Sequence, residues 1–276
     1  MYNTPPLDSR SLALRRTVIR MLEGGRRGHV GSGFSVIEVV RVLYDDILKF
    51  DAKRPQWEER DRFIFSKGHG CLGFYAILFD KGFFPESELA KFCKPDGILG
   101  GHPEVSKIPG VEASTGSLGH GLSLAVGRAI GARMNRAKHR VFALISDGEC
   151  NEGSVWEAAL CASKHKLSNL TVVLDYNKMQ SYSSTKEVLD LEPLADKWKA
   201  FNFAVEEVDG HNVEQIRSTL KRAPFTQDKS SLIICHTIKG KGIPFAEQNP
   251  AWHHKNKVTD EEVVELYRAL EEPQKR

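Results

Sequence analysis

The sequence predicts an α/β protein with an open, mostly parallel sheet and helices on both faces. Short apolar runs recur five times along the chain, and segments with helical apolar spacing lie between them. Strand, helix, strand in alternation calls for parallel pairing, because each crossover returns the chain to the same edge. The 276 residues are 41% apolar, enough for a sizeable core. No repeat, low-complexity tract or linker interrupts them, so residues 1–276 are expected to form a single domain.

The elements follow in order. Two helical patterns open the chain, and Ser35 with Glu38 three residues later reads as a capping box starting the second. Strand-like runs are at residues 62–65, 141–145, 170–174, 203–208 and 232–235. Helical spacing covers 72–80, 122–137, 155–165 and 213–220, and a last helix begins at the Thr259/Glu262 box. The charged stretch 53–62 reads as a solvated connection. Trp156 and Trp198 lie in or beside helical patterns and read as core.

Composition excludes several functions. Thirty-nine Lys and Arg against 36 Asp and Glu leave a formal charge of +3, too little to drive nucleic-acid binding. No run approaches the roughly 18 consecutive apolar residues of a membrane span. Pro5, Pro6 and Asp8 stand where a signal peptide would be apolar, so a cytoplasmic location is expected. The five cysteines form no CxxC pair and are an odd number, which argues against a disulfide framework and a structural zinc site.

In an open parallel sheet, ligands sit beyond the carboxyl ends of the strands. Here the strand-like runs lead into Ser66-Lys67-Gly68-His69-Gly70, Ser146-Asp147-Gly148-Glu149, Asp175-Tyr176-Asn177-Lys178 and Asp209-Gly210-His211-Asn212. Five of the ten histidines, His29, His69, His102, His120 and His211, adjoin a glycine, which sets imidazoles on backbone that a ligand can approach closely. His139, His165 and His236 lack that setting and read as surface, packing or strand-end residues. Asp147 and Asn177 follow successive apolar runs, so two hard oxygen donors meet at the sheet edge and suit Mg²⁺ or Ca²⁺. Such an ion draws further ligands from phosphate and water, which implies a bound di- or triphosphate. No GxxxxGK[ST] loop is present, and Lys239-Gly240-Lys241-Gly242 reads as a loop turn.

These segments, with Gly28-His29-Val30-Gly31-Ser32, Gly101-His102-Pro103-Glu104 and Thr115-Gly116-Ser117-Leu118-Gly119-His120-Gly121, resemble the N-terminal, diphosphate-binding part of transketolase. The resemblance covers nearly the whole chain. It implies thiamine diphosphate as cofactor, with Asp147, Asn177 and the Met179 carbonyl holding the divalent ion, and His69 and the Gly148 amide on the phosphates. Gly116 and Leu118 would line the pyrimidine side, and His253 would lie near the diphosphate. Glu152 would join the cofactor-binding set near a contact between subunits, with Glu157 beside it. His29, His102 and His253 would act on the sugar, with His254 a rival to His253. The Asp209 to Asn212 loop has a counterpart in the family but no assigned contact.

Three positions depart from the common pattern: Ser146 for glycine before the metal-ligating Asp, His120 for glutamine, and His254 for a glycine. The resemblance further implies a split enzyme, in which a second chain carries the pyrimidine-binding domain and the pair forms a heterotetramer acting on small sugars. Two alternatives stay open. One is a component of another thiamine diphosphate enzyme, such as a 2-oxo-acid dehydrogenase or a synthase, and the other is a non-catalytic cofactor-binding or regulatory module.

Overall fold

In a computed structural model that describes residues 4–272, the N-terminal helix α1 (Ser9–Gly25) starts where the Asp8 carboxylate accepts a hydrogen bond from Ser11 N at 2.9 Å. It stops at Arg26, which takes the left-handed conformation at φ 55°. Two short buried helices follow, α2 (Val30–Ser35) and α3 (Ile37–Val42). Then come β1 (Arg62–Phe65), α4 (Cys71–Asp80), α5 (His120–Met134), β2 (Val141–Ser146), α6 (Gly153–Lys164) and β3 (Leu170–Tyr176). The chain continues through α7 (Thr185–Leu189), α8 (Leu194–Ala200), β4 (Ala204–Asp209), α9 (Val213–Arg222), β5 (Ser231–His236) and α10 (Asp260–Glu271). The expected Thr259/Glu262 capping box opens α10.

All five strands pair in parallel, in the order β1-β2-β3-β5-β4. Every residue of β2 and β3 is buried, as the near-continuous apolar runs of an internal parallel strand require. Side chains alternate between two cores. Phe63, Phe65, Phe142 and Leu144 join α1 to α4, α9 and α10 on one face, whereas Ile64, Ala143, Ile145 and Leu174 join α5, α6 and α8 on the other. Helices therefore cover both faces, as expected. Trp198, fully buried, packs against the tilted ring of the partly buried Trp156, with ring centroids 5.1 Å apart, in the second core.

One local expectation is overturned. Ser35 and Glu38 form no capping box: the helix begins earlier, at Val30, and α3 starts after Val36 without a side-chain cap. Both residues are buried and serve the tertiary structure. Glu38 receives Arg15 through two hydrogen bonds of 2.6 and 3.0 Å, and His211 Nδ1 donates to it at 2.8 Å. The other ring nitrogen of His211 accepts from Ile238 N at 2.8 Å. A buried charge cluster thus joins α1, α3, the loop after β4 and the loop after β5.

Burial would raise the Glu38 carboxyl, but Arg15 and His211 hold it well below the ordinary carboxylate value. Glu38→Ala would leave Arg15 buried without its carboxylate. It is expected to lower unfolding free energy by about 3–5 kcal/mol, read as a shift of the urea midpoint with an unchanged slope.

Candidate functional site

The register brings the polar strand ends together. Ser146 pairs with Asp175 and Tyr176 with His236, so the loops after β2, β3 and β5 leave the sheet side by side. Above them lies a cavity of about 260 Å³. Its floor carries Asp147, Gly148, Asn177 and Met179, and its walls carry His29, His69, His102 and His253, with Gly116 and Leu118 on one side. Ten of the eleven residues expected at the site line this one cavity. The exception is Glu152, which stands at the exposed start of α6 and does not reach it. Glu157, further along α6, is exposed as well.

The histidines form a cluster around His29. Its ring centroid is 5.5 Å from that of His69, 5.9 Å from His102, 5.4 Å from His253 and 4.4 Å from His254. Glycines make this crowding possible. Gly116 has φ +153°, and a Cβ there would come within 2.9 Å of the His102 ring. A Cβ at Gly68 would strike the Thr115 backbone at 2.6 Å, so His69 is carried on a loop laid directly against the Thr115-Gly116 segment.

Burial pushes His29 down to about 3, helped by repulsion from His254 and His102. Burial and Lys239 likewise push His253 down to about 3. Desolvation and the neighbouring Lys67 hold the half-buried His69 well below its ordinary value, and desolvation also lowers His102. At neutral pH all four are neutral imidazoles, able to donate from one nitrogen and accept at the other.

The floor is anionic. Asp147 accepts from Gly148 N at 2.8 Å and Lys178 N at 2.7 Å. Burial and the neighbouring Asp175 nevertheless push its carboxyl up to about 7. One carboxylate, the Asn177 amide oxygen and the Met179 carbonyl make a hard-oxygen donor set for Mg²⁺ or Ca²⁺. Among the described residues no group of three His, Cys, Asp or Glu side chains could hold a metal, so further ligands must come from phosphate or water. A Cβ on Gly148 would meet its first protein atom, on Gln180, only at 3.8 Å, leaving room for phosphate oxygens over the amide.

Two lysines escaped the sequence reading. Lys239, placed there in a loop turn, does precede glycines in turn conformation, with Gly240 at φ +82° and Gly242 at +93°. Its buried ammonium nevertheless lines the cavity and donates to Met179 O at 2.8 Å and Gln180 O at 3.3 Å. Burial drives its pKa down to about 8, partly offset by Asp147. Lys67 lies beneath the floor, ion-paired with Asp175. The available signal was position: each lysine follows a strand at the same sheet edge as Asp147. His211, left without a contact in the sequence reading, lies outside the cavity but holds Ile238 N, next to Lys239.

The histidine shifts carry a sign. An unfolded chain binds protons on His29 and His253 near 6.5, the folded chain only near 3, so their contribution to stability falls as pH drops from about 6.5 towards 3. Asp147, raised to about 7, works in the opposite direction. The urea midpoint is therefore expected to fall less between pH 7 and pH 5 in His29→Asn and His253→Asn than in the parent. An equal fall in all three would contradict these assignments.

Residues 9–275 match the family described as transketolase, thiamine diphosphate binding domain. The chain is 43% identical over 234 residues to the 6-deoxy-6-sulfo-D-fructose transketolase subunit SqwG of Clostridium sp. (strain MSTE9), covering 85% of each. It is 42% identical over 267 residues to an apulose-4-phosphate transketolase subunit of Actinobacillus succinogenes, covering 96% of this chain and 95% of that one. Transketolase from Leishmania mexicana superposes with a TM-score of 0.87 at 29% identity, covering 96% of this chain and 41% of that enzyme, so the chain spans about two-fifths of its length. By sequence and by fold, this chain belongs to the transketolase family, as its thiamine diphosphate-binding domain.

Proposed function

We propose that this chain is the cofactor-holding subunit of a two-chain transketolase-type transferase, which moves a two-carbon ketol unit from an anionic ketose to an aldose. One observation carries the reading: a carboxylate, an amide oxygen and a carbonyl oxygen converge at the ends of adjacent strands, directly beneath four neutral imidazoles. In this reading Asp147, Asn177 and the Met179 carbonyl hold Mg²⁺ or Ca²⁺, which neutralises the cofactor diphosphate. His69 and the Gly148 amide contact phosphate oxygens, Lys239 adds a positive charge, and Gly116 and Leu118 border the cofactor. Bound there, thiamine diphosphate supplies a nucleophilic thiazolium carbon that allows the carbon–carbon bond beside a ketose carbonyl to break and re-form. His29, His102 and His253 hold the sugar hydroxyls and move protons at the carbonyl oxygen, a task that neutral imidazoles suit at physiological pH.

The two-chain assembly is supported by relatives of nearly the same length that are named as subunits. The partner would carry the pyrimidine-binding domain, two copies of each chain giving a heterotetramer. Glu152 and Glu157 lie exposed near the start of α6, and Leu124 and Leu160, 46% and 59% exposed, leave apolar surface on α5 and α6 for such contacts. An anionic ketose is supported by the names of the same relatives, one of which refers to a sulfonated and the other to a phosphorylated sugar. We place the enzyme in the cytoplasm; among the described residues no helix is long and apolar enough to cross a membrane.

Asp147→Ala, assembled with the partner, is expected to weaken thiamine diphosphate and Mg²⁺ binding by more than about 100-fold, since losing a direct ligand exceeds the effect of losing a supporting one. Calorimetry reads this, and unchanged affinity would remove the metal assignment. His69→Ala is expected to weaken the cofactor, whereas His102→Ala should lower kcat/KM for sugars at unchanged cofactor affinity. Identical, sugar-only defects in both variants would end that division of roles.

A further inference from the structure

Gly100 and Gly101 directly precede His102, so this histidine follows the backbone with the greatest conformational freedom. Packing leaves that backbone room. A Cβ on Gly101 would meet nothing closer than Cys93 Sγ at 3.7 Å, and among the described residues the His102 ring takes part in no hydrogen bond. Two side chains of α4 hold the segment instead. Tyr75 Oη donates to Gly100 O at 3.0 Å, and Cys71 Sγ donates to Gly101 O at 3.2 Å. The two residues are one helical turn apart and share a face of α4, and both are buried. Burial raises the phenol and the thiol above their ordinary values, so each keeps the hydrogen it donates. On the other side of His102, Thr115 N donates to Pro103 O at 3.2 Å, and Thr115 Oγ1 donates to Phe65 O at 2.8 Å. The histidine is thereby pinned between α4 and the end of β1.

We propose that Tyr75 and Cys71 are positioning residues for His102, holding the two glycine carbonyls before it so that its ring stays at the wall of the cavity. The inference rests on the transferase reading, in which His102 acts on the sugar, and adds the side chains that set where it stands. Each carbonyl receives its own donor, since a thiol has one hydrogen to give and the Gly100 oxygen, 3.8 Å from Cys71 Sγ, is served at shorter range by Tyr75. Without those donors the two carbonyls lose their partners, and the glycines are free to turn. Cys71 also opens α4 two residues after His69, so the helix that follows the phosphate-side histidine fixes the sugar-side one as well.

The test uses Tyr75→Phe/Cys71→Ala, assembled with the partner chain and supplied with fructose 6-phosphate as donor and glyceraldehyde 3-phosphate as acceptor. Loss of position is expected to lower kcat/KM for fructose 6-phosphate about tenfold or more, with thiamine diphosphate affinity, read by calorimetry, within about twofold of the parent. Tyr75→Phe/Cys71→Ser, which restores one donor, is expected to recover part of the loss. Parental kcat/KM in the first variant, cofactor affinity that falls as far as kcat/KM, or no recovery with serine would each overturn the proposal. A second measurement needs no turnover and uses the chain alone with isotope-labelled histidine. The ring signal of His102, identified by its disappearance in His102→Asn, is expected to shift or broaden in Tyr75→Phe/Cys71→Ala while that of His211 stays in place. This result in a chain whose parent transfers no ketol unit supports the positioning role and counts against the transferase reading alone. A His102 signal that does not move overturns the positioning role whatever the turnover.

Discussion

The buried carboxylate of Asp175 is the point on which the site depends. It receives Lys67 from the loop after β1, Ser35 from α2 at 2.8 Å, Asn177 from the loop after β3 at 3.0 Å and Thr237 from the loop after β5. Segments far apart in sequence are tied to one residue at the end of a central strand. Burial would make that carboxyl neutral, yet Lys67, Thr237 and Asn177 hold it below its ordinary value, so it stays charged. Burial, together with the charge of Asp175 next door, then lifts the Asp147 carboxyl to about 7.

Around this anionic floor the structure sets an opposite condition. Burial, together with repulsion from Lys67, Lys239 and neighbouring rings, keeps the imidazoles from accepting protons readily. Neutral rings can exchange donor and acceptor roles with sugar hydroxyls, which charged rings cannot. The same crowding needs glycine at 68 and 116, where any side chain would collide with the Thr115 backbone or with His102.

A second buried network, Arg15, Glu38 and His211, supports the edge of the site from the β4 end of the sheet. Because β5 lies between β3 and β4, the loop carrying His211 after β4 adjoins the loop carrying Lys239 after β5. His211 accepts from Ile238 N, fixing the backbone from which Lys239 reaches Met179. Ion pairs of this kind need not add net stability over apolar packing, but they accept few alternative geometries, which suits a loop that presents one ammonium to the Met179 and Gln180 carbonyls.

Much of this was legible in the sequence because it depends on local periodicity and on chain order. Five apolar runs separated by helical spacing determined the parallel sheet, and residues directly after those runs, Asp147 and Asn177 among them, had to gather at its carboxyl edge. Glycine beside histidine marked three of the imidazoles that line the cavity, His29, His69 and His102. Ser35 and Glu38 were misread as a cap because the three-residue spacing is shared by a capping box and by two residues on one buried helix face, and only distant partners, Asp175 for one and Arg15 with His211 for the other, decide between them. Lys239 resembled an ordinary turn residue because nothing nearby in sequence reveals that its ammonium is buried against the Met179 carbonyl. The strand order and the charge state of the histidines likewise belong to the tertiary structure alone, since each depends on which remote groups are brought together and share a low-dielectric space.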